Sequence, residues 1–267
     1  MNLIARFPLL SYFALAYLFT LGIEVPMMLA ARGVVSWHLP EWLEALAAFG
    51  PFAAAILVLG FWRGEGAVSA LLNSLVHWRA PLCWWAVTLL SPFVIMCLAL
   101  QFTGDLPQLL SGELLLSLSA EGKWLELLVM GGLLRGLGEE PGWRGFALPV
   151  LRSRAGPLLA TLCLWPVWVL WHLPSFLMRP EFALGAWIGF SMGILAAAAL
   201  LTLLYDRTRS VLLVAIWHAL INITRGIAGS ASSESFLAFA QVTLALGVLI
   251  ILYWIVFARR EDAYEMA

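Results

Sequence analysis

The chain has 267 residues, of which 63% are hydrophobic and only 12% are charged, and its formal net charge is -1. Soluble domains are roughly 45 to 50% apolar and about 25% charged, so this composition indicates an integral membrane protein. The near-neutral sequence also lacks the basic stripe that neutralises nucleic-acid phosphates, and we expect no nucleic-acid partner.

Apolar stretches of about 20 residues, the length of a bilayer-spanning helix, recur along the chain. Residues 64–80 are more polar and are predicted to form a helix at the membrane interface. Because no stretch alternates as membrane-barrel strands do, the predicted fold class is all-α, a polytopic membrane helix bundle. Without a repeat or linker, residues 1–267 are predicted to form a single domain. We predict about eight spans, at residues 7–31, 43–62, 82–102, 124–151, 157–178, 182–205, 210–227 and 236–258.

Basic residues are distributed unequally between the two ends of the predicted helices, which orients the bundle. An even number of spans places both termini on one side. Arg135 lies inside a helix, and of the other basic residues ten share the side of the termini and four lie opposite. Since the basic side is cytoplasmic, we expect both termini in the cytoplasm. The ten are Arg6, Arg63, Arg79, Arg144, Arg152, Arg154, Arg207, Arg209, Arg259 and Arg260, and the four are Arg32, Lys123, Arg179 and Arg225.

Residues 138–144, Gly-Glu-Glu-Pro-Gly-Trp-Arg, place two carboxylates and an arginine inside an apolar run. An ionisable side chain in a spanning helix costs about 2.5 to 3.5 kcal/mol on insertion scales, so such residues usually face the bundle interior and have a function there. Glu140 and Arg144 are four residues apart in the order that favours an ion pair on one helix face, and we predict a structural ion pair. Glu139 points elsewhere and remains the carboxylate available for chemistry.

Other residues near the carboxylates carry weaker signals. Arg135 lies one turn before Glu139 and is positioned to compete for its charge. Glu24, far away in the sequence, is interpreted as a helix-end residue near the outer interface. Three helix-weakening residues are expected to kink or loosen the fourth helix and to admit water or a substrate chain: Gly138, Pro141 and Gly142.

Two histidines in separate apolar runs complete the candidate site. Trp168 and His172 are four residues apart, as are His218 and Asn222, so each pair shares a helix face. At a rise of 1.5 Å per residue, Glu139 and both histidines lie roughly 14 to 23 Å from the cytoplasmic ends of their helices and can meet within the membrane. Each histidine alone would be interpreted as a satisfied core residue, but imidazole and amide groups beside a carboxylate can hold a water or stabilise an oxyanion.

These pieces resemble the three motifs of the CAAX protease and bacteriocin-processing family, which includes the type II CAAX prenyl endopeptidases. The motifs are Glu-Glu-x-x-x-Arg at residues 139–144, aromatic-x-x-x-His at residues 168–172 and His-x-x-x-Asn at residues 218–222, in the order of the family. The resemblance covers the half of the chain that carries the motifs, about residues 124–227. The second motif of the family usually begins with phenylalanine, where this chain has Trp168.

The resemblance implies an intramembrane endopeptidase that cuts membrane-associated or lipidated proteins and peptides. By the same resemblance, Glu139 and His172 activate the attacking water, and His218 and Asn222 form the oxyanion hole. The implied partners are such a substrate and the lipid bilayer, and the implied location is a bacterial inner membrane.

A catalytic zinc site is the alternative, since one carboxylate and two histidines with an open position are a known zinc ligand set. Its ligands would be Glu139, His172 and His218. The chain lacks a His-Glu-x-x-His pattern, and Asn222 suits an amide donor better than a zinc ligand, so we expect no cofactor and a water mechanism.

Two further functions are compatible with the composition. A non-catalytic membrane scaffold or a bacteriocin-immunity protein would keep the fold without the reaction, although all four candidate catalytic residues are present. A proton-coupled transporter would also carry intramembrane glutamates and histidines, but it would normally have two similar halves with broken helices in matching places. Here only the second half is polar.

Overall fold

A computed structural model describes residues 3–40, 42–178 and 183–257 of the chain. Every regular element within these ranges is a helix. Seven stretches are long and apolar enough to cross a membrane. The predicted fold class, an all-α polytopic membrane helix bundle, is confirmed, whereas the single domain and the cytoplasmic termini stay predictions. Arg179, Arg259, Arg260, the predicted start of a span at 182 and the predicted end at 258 lie outside the described residues.

The helices of the first half agree closely with the predicted spans. The predicted interface segment 64–80 is helical only in its first part, where Leu71 is the buried residue. A short helical turn, Leu3–Arg6, comes before the first long helix. The elements are α1, Pro8–Ala31; α2, Leu43–Arg63, made of Leu43–Ala47 and Gly50–Arg63; α3, Glu65–Ser74; α4, Leu82–Thr103; α5, Leu106–Leu110; and α6, Glu113–Ala120.

The second half contains the motif-bearing helices. The element that we name α7 comprises four consecutive helical segments: Leu125–Leu133 and Trp143–Ala147 are π-helical, whereas Leu134–Gly142 and Leu148–Arg152 are α-helical. The remaining elements are α8, Pro157–Trp171; α9, Leu173–Leu177; α10, Leu184–Thr208; α11, Val211–Ala231; and α12, Ser233–Phe257.

The helix α7 corresponds to the predicted span at residues 124–151, and it differs from the seven apolar spans in carrying many charges. Two of its segments are π-helical, one at its start and one after Gly142, and such stretches occur frequently at functional sites. The segment between them holds both carboxylates of the first motif, buried in the bundle. The charged residues of α7 are Glu126, Arg135, Glu139, Glu140, Arg144 and Arg152.

The helix is not broken at its glycines and proline, but it changes from α-helical to π-helical geometry at Trp143. The helical path continues through Pro141. A Cβ atom added at Gly138 would lie 2.7 Å from the carbonyl oxygen of Ala48, and one added at Gly142 would lie 2.5 Å from the carbonyl group of Pro51. The two glycines therefore let α7 approach the backbone of α2 closely rather than opening the helix to water.

The packing around α7 places the candidate site in the centre of the bundle. α7 lies between α2 and α11, while α1 packs against α2, and α4, α10 and α12 complete the bundle around α11. The largest buried side chains include Trp143, Trp168, Trp171 and Trp217, with Arg144 among them. Many leucines and phenylalanines on the outer faces of the helices remain exposed, as expected for surfaces that contact lipid.

We predict that Gly142→Ala destabilises the protein in detergent by about 1 to 3 kcal/mol, because the new methyl group would overlap the backbone of α2. The matched control is Gly193→Ala in α10, where an added Cβ meets no atom within 4 Å. This control should leave the midpoint of thermal unfolding unchanged or raise it slightly, since alanine favours helix. Equal midpoints for the two variants would contradict the proposed close packing of α7 on α2.

Candidate active site

Trp168, in α8, contacts residues from all three motifs. Its indole Nε1 donates a hydrogen bond of 2.9 Å to Oε2 of Glu139. The guanidinium carbon of Arg144 lies 4.2 Å from the centroid of its ring. The rings of His172 and His218 lie with their centroids 6.0 and 5.8 Å from that of Trp168. A single buried side chain therefore brings the carboxylate stretch and both histidines to one place.

Glu139 is fully buried, and its two oxygens have different surroundings. Oε2 accepts the hydrogen bond from Trp168, which fixes the orientation of the carboxylate. Oε1 has no hydrogen-bond partner among the described residues. A carboxylate oxygen held in place and not engaged by the protein can accept a hydrogen bond from a water molecule or a substrate.

His172 lies at the break between two helices. α8 ends at Trp171, and Pro174 cannot donate the backbone hydrogen bond that would continue it, so α9 starts as a separate short helix. The ring Nδ1 lies 2.8 Å from the backbone oxygen of Trp168. Because a carbonyl oxygen only accepts, Nδ1 carries the proton, and the Nε2 of a neutral ring keeps its lone pair.

Aromatic side chains surround the His172 ring. The rings of Trp171 and Phe190 meet it edge to face, with centroids 4.8 and 5.1 Å away. These contacts, together with the hydrogen bond to Trp168, limit the rotation of the imidazole. The arrangement therefore holds the ring in one orientation with Nε2 available to accept a proton.

Glu140 interacts with two basic side chains, Arg144 and His218. Its Oε1 accepts a hydrogen bond of 2.9 Å from Nη1 of Arg144, which lies four residues later in the sequence, and both side chains are fully buried. The same oxygen lies 2.6 Å from Nδ1 of His218, on α11. Glu140 therefore fixes the direction of the His218 ring as well as pairing with Arg144, and only the arginine partner was expected from the sequence.

Asn222 lies one helical turn after His218 on α11 and is partly buried. Its side-chain amide has no hydrogen-bond partner among the described residues. The amide is therefore able to donate to a ligand on the face of α11 that it shares with His218.

Two charged residues have partners that differ from the sequence expectations. Arg135 was expected to compete for the charge of Glu139, but its Nη2 lies 2.6 Å from Oε1 of Glu44, in α2. Glu24 was expected at a helix end near the outer interface, but it is only 1% exposed and accepts a hydrogen bond of 2.9 Å from Ser175 Oγ. The expectation for Glu24 is wrong because its partner lies on a distant segment, which local spacing does not indicate. Arg135 pairs with Glu44 and also acts on the charge of Glu139, as expected.

The arrangement also bears on the zinc alternative. Within the part of the chain that the structure describes, no three His, Cys, Asp or Glu side chains form a group that could hold a metal ion. The three residues named above as the alternative zinc ligands, Glu139, His172 and His218, therefore do not form such a group in this structure. The Nδ1 atoms of the two histidines are already bonded to Trp168 and Glu140.

The fold and the buried polar residues define a polytopic membrane protein with a carboxylate and two histidines at its centre. Comparison with known proteins finds similarity in the motif-bearing half of the chain. Residues 121–224 match the family of Rce1-like type II CAAX prenyl endopeptidases. This segment of the chain is similar to that family, and the resemblance predicted from the three motifs is confirmed.

A curated relative matches over a similar extent. The chain is 30% identical over 129 residues to the CAAX prenyl protease 2 of Methanococcus maripaludis. The match covers 45% of this chain and 47% of the relative, so the chain spans about half the length of the curated relative that it matches.

We predict that Glu140→Gln and Glu139→Gln differ strongly in their effects on the free energy of unfolding. Glu140→Gln removes the negative charge between buried Arg144 and His218, and breaking a buried ion pair in this way costs about 3 to 5 kcal/mol. Glu139→Gln keeps an oxygen that can accept from Trp168 and should cost much less. Thermal or denaturant unfolding of both variants in the same detergent would measure this difference, and equal losses would contradict the assigned partners.

Proposed function

We propose that this protein is an intramembrane endopeptidase that hydrolyses a peptide bond of a membrane-associated or lipidated protein or peptide. The observation that carries the proposal is the double role of Trp168. Its indole N–H holds one oxygen of Glu139, and its backbone oxygen holds Nδ1 of His172. The second carboxylate oxygen and the second ring nitrogen are left for a water molecule, as general-base catalysis requires.

In the proposed reaction, Glu139 and His172 act on one water molecule. Oε1 of Glu139 takes a proton as the water oxygen attacks the carbonyl carbon, and the carbonyl electron pair moves onto its oxygen. Nε2 of His172 accepts a hydrogen bond from the remaining hydroxyl and later takes its proton. When the carbonyl re-forms, the C–N bond breaks, and the leaving nitrogen receives the proton that Glu139 holds.

His218 and Asn222 are proposed to stabilise the oxyanion of this intermediate. The amide of Asn222 is a donor without a protein partner among the described residues. His218 uses Nδ1 toward Glu140, so its Nε2 can donate only when the ring is doubly protonated. The Glu140 carboxylate supplies the counter-ion for such an imidazolium. Preorganised donors of this kind typically contribute about 10² to 10³ in kcat each.

The proposed substrate class is suggested by the family match and by the name of the relative. The relative from Methanococcus maripaludis is described as a CAAX prenyl protease. We infer that this chain also acts near the C-terminus of prenylated or otherwise lipid-anchored substrates, from a bacterial inner membrane with both termini in the cytoplasm. A farnesylated peptide ending in Cys-a-a-X, in liposomes that contain the protein, is therefore the probe, and the same peptide without the prenyl group is its control.

We predict that Glu139→Gln and His172→Ala abolish cleavage of this farnesylated peptide, since each removes one of the groups that accept a proton from the water. Both variants should remain folded, as judged by their elution from a size-exclusion column in detergent. The matched control is Trp165→Phe. Trp165 lies on α8, as Trp168 does, and the variant loses an indole hydrogen bond of 2.8 Å to the backbone oxygen of Ser191.

Full cleavage by folded Glu139→Gln, with loss of cleavage in an equally well folded Glu140→Gln, would reverse the roles of the two carboxylates. Retained activity in both Glu139→Gln and His172→Ala would contradict the proposed reaction. If the wild-type protein cleaves no peptide and no processed species disappears from membranes that carry Glu139→Ala, the scaffold or immunity function replaces the endopeptidase.

A second prediction concerns metal. If the water is activated by Glu139 and His172 alone, exhaustive chelation should leave kcat unchanged, and added zinc should not raise it. A zinc enzyme would instead lose activity on chelation and regain it with stoichiometric zinc, because its nucleophile would be a metal-bound water. That result would overturn the proposed mechanism while leaving the endopeptidase function intact.

A further inference from the structure

The helix α1 lies outside the segment that matches the family. Even so, α1 and the residue after it form hydrogen bonds with residues both before and after His172 in the sequence. One of these hydrogen bonds involves a residue near the end of α8, and the other two involve residues of α9. They are Tyr17 Oη to the backbone oxygen of Val167, 2.5 Å; Ser175 Oγ to Oε1 of Glu24, 2.9 Å; and Arg32 Nε to the backbone oxygen of Leu177, 2.6 Å.

The three residues on the α1 side form a regular pattern. Tyr17, Glu24 and Arg32 are seven and eight residues apart. Tyr17 and Glu24 are about two turns apart and lie along one face of α1, and Arg32 directly follows the helix. Together, α1 and the residue after it hold the α8–α9 segment at three levels.

The chain around His172 needs such support because its own helical bonding is incomplete. His172 is a turn residue between α8 and α9, and Pro174 has no backbone N–H. The backbone bonds at the turn run from His172 N to Val169 O, 3.0 Å, and from Phe176 N to His172 O, 3.3 Å. The position of α9, and with it the direction of the imidazole, therefore depends on contacts with other helices.

Of the three residues, Glu24 has the highest expected free-energy cost of burial, so its position most needs a functional explanation. It is 1% exposed within a membrane-spanning helix, where a carboxylate is expensive and usually has a function. Ser175 donates to its Oε1, while Oε2 has no hydrogen-bond partner among the described residues. Oε1 accepts from Ser175 whether the carboxyl group is ionised or protonated, so this bond ties α1 to α9 in either state.

We propose that Glu24 is a positioning residue of the candidate active site: through Ser175 it fixes the turn between α8 and α9 and so sets the direction in which His172 presents Nε2. The effect on cleavage rests on the proposed endopeptidase function. The effect on the His172 ring does not depend on that function and is tested separately.

The kinetic test uses Glu24→Leu, Glu24→Gln and the double variant Glu24→Leu with Ser175→Ala. Misplacement of a catalytic group by about 1 Å can cost on the order of 10²-fold in rate, and it acts on the transition state rather than on binding. We therefore expect Glu24→Leu to lower kcat for the farnesylated peptide by roughly 10- to 100-fold, with KM changed less than about 2-fold. Glu24→Gln, whose amide oxygen still accepts from Ser175, should recover most of the activity.

The double variant separates positioning from stability. It removes the carboxylate and the hydroxyl together, so no buried polar group is left without a partner, and the protein should fold. It should still lose kcat as Glu24→Leu does. The matched control is Thr20→Val, one turn earlier on α1, which loses a buried hydrogen bond of 2.8 Å to the backbone oxygen of Ala47 in α2 and should leave kcat unchanged.

The structural test needs no substrate. The chain contains four histidines, so spectra of protein labelled with ¹⁵N-histidine are simple, and His172→Gln assigns the signal of interest. We expect the His172 ring to show a protonated Nδ1 in the wild type and in Thr20→Val, and a shifted or broadened signal in Glu24→Leu and the double variant.

An unchanged His172 signal in folded Glu24→Leu would overturn the inference, and so would wild-type kcat in the double variant when the wild-type protein cleaves the peptide. If the wild-type protein cleaves nothing, the proposed function fails, and the His172 signal alone decides whether Glu24 orients the ring.

Discussion

The hydrogen bond from the indole of Trp168 to Glu139 is the interaction on which the rest of the site depends. A carboxylate removed from water in the centre of a helix bundle loses several kcal/mol of solvation, which must be offset by hydrogen bonds or charge. Trp168 supplies the only protein hydrogen bond that Glu139 has within the described residues, and Arg144 lies over the same ring. Phenylalanine, the usual residue of the family at this position, would fill the space but has no N–H to donate.

The two adjacent carboxylates illustrate how helix geometry separates roles. Successive residues on a helix point about 100° apart, so Glu139 faces α8 while Glu140 faces Arg144 and His218. Glu140 lies between Arg144 and His218, which suits a structural carboxylate that also orients the His218 ring. One oxygen of Glu139 is held by Trp168, and the other has no hydrogen-bond partner in the part of the chain that the structure describes. Two adjacent glutamates therefore differ in role: Glu140 pairs with Arg144 and His218, whereas Glu139 is proposed to act in the reaction.

The sequence was sufficient for the class, for most helices and for the residues of the three motifs. Hydropathy predicts spanning helices because the bilayer demands about 20 apolar residues for each, and the spacing of Glu140 and Arg144 describes a contact within one helix. The geometry of α7 was harder to predict from the sequence, because its charged residues and π-helical stretches depart from a simple apolar span.

Contacts between distant segments could not be predicted from local spacing. The pairing of Arg135 with Glu44, the burial of Glu24 and the close approach at Gly142 all depend on which helices become neighbours. The indole donor of Trp168 had a weak signal, because tryptophan stands where the family usually has phenylalanine, but its acceptor was not evident. In a sequence, a charged residue within an apolar run that has no oppositely charged residue nearby indicates a partner on a distant segment.

The account as a whole requires Glu139 and His172 to act on one water molecule. An experimental structure of the protein in lipid, at a resolution that shows ordered water, tests this requirement most directly. The account predicts a water molecule about 2.6 to 3.2 Å from both Oε1 of Glu139 and Nε2 of His172, with Trp168 still bonded to Oε2. A metal ion bound by Glu139 and both histidines, or Glu139 and His172 facing separate sides of the bundle, would contradict it.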